Sequence, residues 1–210
     1  MNKMIKAALL LSASLLPLSS MAMPEAFIDG VHYKATPTRL ATNSEDKIEV
    51  IELFSYSCPH CFNLDPQVQL WKETLPENVT FTHVPAIFRD SWLQLARVFY
   101  AAEATGDLEK LHPLLFNAIH VEKRRLQTEE QLLDFVAEQD IDRDAFAKTM
   151  KSMSVVSKVK KALMLSQTSG ITGVPAMIVN GQYRTDAPLA GGMPEMLKTV
   201  DYLIQKESTK

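Results

Sequence analysis

The sequence predicts an α/β fold in which a small strand-and-helix unit is interrupted by an inserted all-helical domain. Three observations lead there. Strand-like stretches stand at 47–56, 79–84 and 174–185. The chain between Ser91 and Ser169 reads as helix almost throughout. An amphipathic stretch, "GGMPEMLKTVDYLIQK", closes the chain after the last strands.

Taken in order, the first residues read as a leader. Lys3 and Lys6 precede an apolar run from Ala7 to Leu18, and Ser20-Met21-Ala22 supplies small residues for cleavage. This is the layout of a secretory signal peptide covering 1–22. The run is shorter than the roughly 20 residues a membrane span needs, which argues against an anchor. The remaining 23–210 should be soluble and exported.

"KIEVIELFSY" (Lys47 to Tyr56) is rich in β-branched and aromatic residues and reads as a strand buried on both faces. Val50, Glu52 and Phe54 share one face, so apolar side chains flank Glu52. A helical pattern follows through Phe62, Pro66, Val68, Trp71 and Leu75 and stops at "LPEN". "VTFTHV" alternates as a second strand, with Val79, Phe81 and His83 on one face.

The helical block opens with Trp92, Leu95, Ala96, Phe99 and Tyr100 and breaks near Gly106. Leu108, Leu111, Leu115 and Ile119 mark the next helix, with Pro113 as its start or a kink. Thr128 and Gln131 match a capping box. Asp142 or Asp144 caps a short helix, and Val155, Val159, Ala162 and Leu163 mark a longer one. "VPAMIVNGQYRT" then reads as a hairpin turning at Asn180-Gly181. Pro194 suits the first turn of the last helix. The expected division is 23–87 with 163–210 as one discontinuous domain, and 88–162 as the helical insertion.

The 22 basic and 25 acidic residues give a net charge of -3, or -5 once residues 1–22 are removed. No basic block stands out beyond "EKRRL", which a solvated helix end explains, so nucleic acid is excluded as a partner.

The chain has two cysteines, Cys58 and Cys61, in "ELFSYSCPHCFNLDP". An exported chain meets an oxidising compartment. A bridge between these two would close almost no loop and would make a poor staple, so the pair points to chemistry. It lies where strand gives way to helix. The first backbone N–H groups of that helix lack intrahelical partners, and the helix dipole is positive there. His60 adds donors and, when protonated, charge. These features favour a thiolate at Cys58, the outer sulfur, and shield Cys61 one turn in. A stabilised thiolate makes the disulfide form oxidising. Structural zinc takes four protein ligands. There is no second cysteine pair, and His32, His83, His112 and His120 are scattered, so no metal is expected.

"FSYSCPHCFNLDP", "GVPAMIVNGQY" (Gly173 to Tyr183) and the helical block between them resemble the DsbA family of exported thiol:disulfide oxidoreductases. The resemblance spans the whole chain after the leader. It implies a thioredoxin fold with a helical insertion. It also implies catalytic roles for Cys58, Pro59, His60, Cys61 and Glu52, and a redox-active Cys58–Cys61 disulfide with no other cofactor. Pro175 would be cis beside the cysteines, and Val174 would offer backbone groups to a substrate peptide. A buried Glu52 would help move protons near Cys61. Its family partner is a lysine; here His83 stands in that place, as a partner of Glu52 or as a core histidine bonded to backbone. The implied partners are reduced, unfolded exported proteins and a DsbB-like inner-membrane reoxidant. The protein would act as a periplasmic monomer. A reductase or isomerase, or a non-catalytic peptide- or metal-binding chaperone, are the competing functions.

Overall fold

A computed structural model describes residues 27–42 and 46–209. The expected leader, 1–22, lies outside the described residues. In chain order the elements are β1 (Lys34–Ala35), β2 (Ile48–Phe54), α1 (Pro59–Lys72), β3 (Val79–Pro85), α2 (Leu93–Thr105), α3 (Leu108–His120), α4 (Glu129–Ala137), α5 (Arg143–Met150), α6 (Met153–Thr168), β4 (Ala176–Val179), β5 (Tyr183–Asp186), α7 (Ala187–Ala190) and α8 (Met193–Ser208). A 3₁₀ turn at Asp90–Trp92 leads into α2.

The five strands form one sheet in the order β1-β5-β4-β2-β3. β2 is inside it, parallel to β3 and antiparallel to β4. All seven of its residues are buried, the five apolar ones and the two glutamates, Glu49 and Glu52, alike. Val50, Met177 and Val179 on one face pack with Leu64 and Val68 of α1 and Met196, Val200 and Leu203 of α8. Ile51, Leu53 and Ile178 point the other way, into a cluster that continues through Phe99, Leu115, Phe146 and Val159. One face of the sheet and the helical block therefore share a buried cluster. α6 runs unbroken through the position where the two domains were expected to divide.

Local signals set most boundaries. Thr128 and Gln131 form the reciprocal capping box at α4. Asp142 accepts from the backbone N–H of Asp144 and Ala145, so it, not Asp144, caps α5. Gly106 ends α2 in the left-handed region at φ 82°. Asn180 and Gly181 both have positive φ, 50° and 63°, the turn a tight hairpin favours. Pro113 sits within α3, not at its start. β1 and α7 are too short to carry a periodic pattern, and the sequence reading did not find them.

Candidate active site

β2 and α1 meet at residues 55–58, and this junction builds the site. Cys58 is the N-cap of α1 in extended backbone, φ -95°, ψ 116°. Its backbone N–H donates to Ser55 O at 3.0 Å, and its carbonyl accepts from Phe62 N at 3.1 Å. Pro59 takes the first helical position, where a missing N–H costs nothing. His60 is exposed on the first turn. Cys61 is 1% exposed, whereas Cys58 is half-buried, so one sulfur meets solvent and the other lies behind it.

The two thiols differ sharply. A hydrogen bond from Cys61 is the main influence on Cys58. Backbone N–H groups of Cys61 and His60 and the charge of His60 add to it, and together they outweigh burial and hold Cys58 down at about 6. Burial pushes Cys61 far up, and the neighbouring Cys58 and the carboxylate of Glu52 push the same way. The pair thus releases one proton near neutrality and holds the other.

The Val174–Pro175 bond is cis. It places Val174 O 3.4 Å from Cys58 Sγ, within reach of the thiol as acceptor. Pro175 is buried and Val174 is partly exposed beside the sulfur. The structure thus brings Cys58, Pro59, His60, Cys61, Val174 and Pro175 to one end of the sheet.

Glu52 lies beneath them, 2% exposed and level with His83 across the β2–β3 ladder. Its Oε2 is 3.2 Å from Nε2 of His83. That distance allows charge attraction, but the groups are poorly aligned, and Nε2 makes no well-formed hydrogen bond.

Four further residues around the site escaped the sequence reading. Tyr56 Oη is 2.8 Å from Nδ1 of His112, and Nε2 of His112 is 3.0 Å from Oδ1 of Asp65. Burial raises the Asp65 carboxyl, but hydrogen bonds from His112 and Gln69 and the charge of His83 outweigh it and hold Asp65 below its ordinary value. Burial, then Asp65, pushes the Tyr56 phenol well up, so it stays protonated. His120 Nε2 is 2.7 Å from Tyr56 O, and its ring stacks on Phe62 at 5.0 Å. Asp65 had a local signal, one helical turn beyond Cys61 on the same face. His112 and His120 had none, because only the folding of α3 against α1 brings them in.

Residues 69–195 match the family described as a DSBA-like thioredoxin domain. That match begins beyond the cysteines, but the similarity to whole-chain relatives extends over almost the entire sequence. The thiol:disulfide interchange protein DsbA of Azotobacter vinelandii is 40% identical over 99% of this chain and 98% of its own. The Pseudomonas aeruginosa PAO1 protein of the same name is 38% identical over 99% and 97%. The crystal structure of Pseudomonas aeruginosa DsbA superposes with a TM-score of 0.83 at 38% identity, covering 87% of this chain and 95% of that one. That of the oxidoreductase DsbA from Xylella fastidiosa gives 0.79 at 30%, covering 85% and 96%.

Proposed function

The chain belongs to the DsbA family of thioredoxin-fold proteins, and from that membership we propose that it donates its Cys58–Cys61 disulfide to newly exported proteins. One observation carries the reading: a single accessible sulfur, held at about 6, stands in front of a buried thiol that resists ionisation.

The exchange follows from that asymmetry. A substrate thiolate attacks Sγ of Cys58, the only sulfur of the pair within reach of solvent. The Cys58–Cys61 bond breaks, a substrate–Cys58 bond forms, and Cys61 leaves and takes up a proton. A second substrate thiolate attacks the substrate sulfur of the mixed disulfide and expels Cys58. The substrate is oxidised by two electrons and the Cys58–Cys61 pair is reduced by two. Cys58 leaves readily because its anion is stabilised. Val174 O and the helix N-terminus flank the exchange, and an extended substrate lies along Val174 and Pro175. Glu52, below Cys61, receives or supplies the proton that Cys61 exchanges.

The reaction uses the chain's own cysteines. A DsbB-like inner-membrane protein restores the disulfide, and the protein works as a monomer in the periplasm. No helix among the described residues is long and apolar enough to cross a membrane.

The test is oxidation of a reduced, unfolded substrate by the purified oxidised protein. Stoichiometric disulfide transfer is expected, with none from Cys58→Ser and a stalled mixed disulfide from Cys61→Ser acting on a preoxidised partner. A midpoint potential as low as roughly -270 mV would instead mark a reductase and sink the proposal.

A further inference from the structure

Beside the thiol pair, on the α1–α3 side of the sheet, the fold assembles a second set of chemically capable groups. Asp65 of α1, His83 of β3 and His112 of α3 bring one ligand atom each within 4.8 Å of one another. We propose that these three residues form a binding site for a divalent transition-metal ion, of which zinc is the representative.

Four features support this. The donor set, two imidazoles and one carboxylate, suits first-row divalent ions, with further positions left to water. His112 is already oriented: Nδ1 meets Tyr56 Oη at 2.8 Å, and Nε2 faces Asp65 Oδ1 at 3.0 Å. Such an outer partner fixes the ring and the tautomer of a ligating histidine. Nε2 of His112 now shares its proton with Asp65; a cation that displaced that proton would meet the Nε2 lone pair and the Asp65 oxygen at one point, while Tyr56 accepts from Nδ1–H. A second carboxylate, Glu52, is 3.2 Å from His83 Nε2, whose geometry leaves it without a well-formed hydrogen bond. The set therefore carries two carboxylates in a largely buried setting, a charge that a dication offsets.

There is also a way in. Asp65, His83 and His112 line a cavity of about 400 Å³ open to solvent, with Lys72 and Glu109 of opposite sign on its wall. No metal was expected from the sequence, because the three ligands come from three separate elements with no shared spacing.

The experiment uses the oxidised chain, whose disulfide keeps both sulfurs out of competition. Titration with Zn²⁺ alone should show one ion bound per chain. Co²⁺ should give visible bands of nitrogen–oxygen coordination without sulfur charge transfer. Asp65→Asn and His112→Gln should each weaken zinc binding at least about tenfold, since even outer-partner losses cost that much. A measurement on the unaltered protein guards against variants that misfold: paramagnetic Cu²⁺ should broaden the ring-proton resonances of His83 and His112 before that of His32. No zinc uptake by the oxidised chain, or broadening that spares His83 and His112, overturns the proposal.

Discussion

At the scale of single residues, the consequences turn on protons. With Cys58 at about 6 and Cys61 far above, reduction takes up two protons below about pH 6 and one above it. The midpoint potential should therefore fall by roughly 59 mV per pH unit below that point and about 30 mV above it. Equilibration against a glutathione buffer at several pH values reads the slope, and a single steep line would refute the assignment. A depressed folded value also makes stability pH-dependent. Cys58 stabilises the reduced fold fully above the ordinary thiol value of about 8.5, and that contribution is lost as pH falls through about 6. Glu52 offers a different test. His83→Leu leaves the buried carboxylate without the imidazole 3.2 Å away, at an expected cost of about 1–3 kcal/mol in urea unfolding. Replacing both residues by leucine should cost less than the sum of the single changes. The cysteine pair, its polarity and the burial of Glu52 were legible in the sequence, since each follows from spacing along one element. Which of two roles His83 plays was not, because that depends on the β2–β3 register.

At the scale of elements, turn and cap chemistry decided most boundaries, and it can be perturbed. A Cβ on Gly181 would stand 2.3 Å from Leu40 O, in a residue whose φ is +63°. Gly181→Ala is expected to cost more than the ~0.4–1 kcal/mol typical of a compatible backbone change, because the native conformation opposes it. The loss would show as a lower melting temperature with disulfide transfer retained, since the hairpin turn lies at the far end of β4 from Pro175. Thr128→Ala removes the acceptor for Gln131 N and should cost about 1 kcal/mol. These signals were visible because they are local: a threonine three residues before a glutamine, an asparagine before a glycine. The two-residue β1 was invisible for the converse reason. It exists only because β5 offers an edge for Lys34 and Ala35 to pair with, and so short a segment has no period to detect.

At the scale of the whole molecule, the sequence anticipated an α/β unit interrupted by helices, and in the structure the inserted helices bury side chains in one cluster with the sheet. Phe54, Ile178, Leu111 and Phe146 belong to one buried cluster. The chain carries two tryptophans, Trp71 on α1, bonded to Asp201 of α8 at 2.8 Å, and Trp92 at the approach to α2. Leu111→Ala should cost about 2–5 kcal/mol. Fluorescence in Trp71→Phe and Trp92→Phe backgrounds should shift to the same denaturant midpoint if the core is shared. Separate midpoints would mean two independently folding units. The strand order has one more consequence, in time. β4, the inner neighbour of β2, is separated from it by the entire helical block. A chain that emerges amino end first, from a ribosome or through a translocation pore, presents its cysteines long before the strand that completes the sheet beside them. Until the last few dozen residues arrive there is no Val174–Pro175 shoulder next to the sulfur, so a half-made molecule has two thiols but not yet an enzyme.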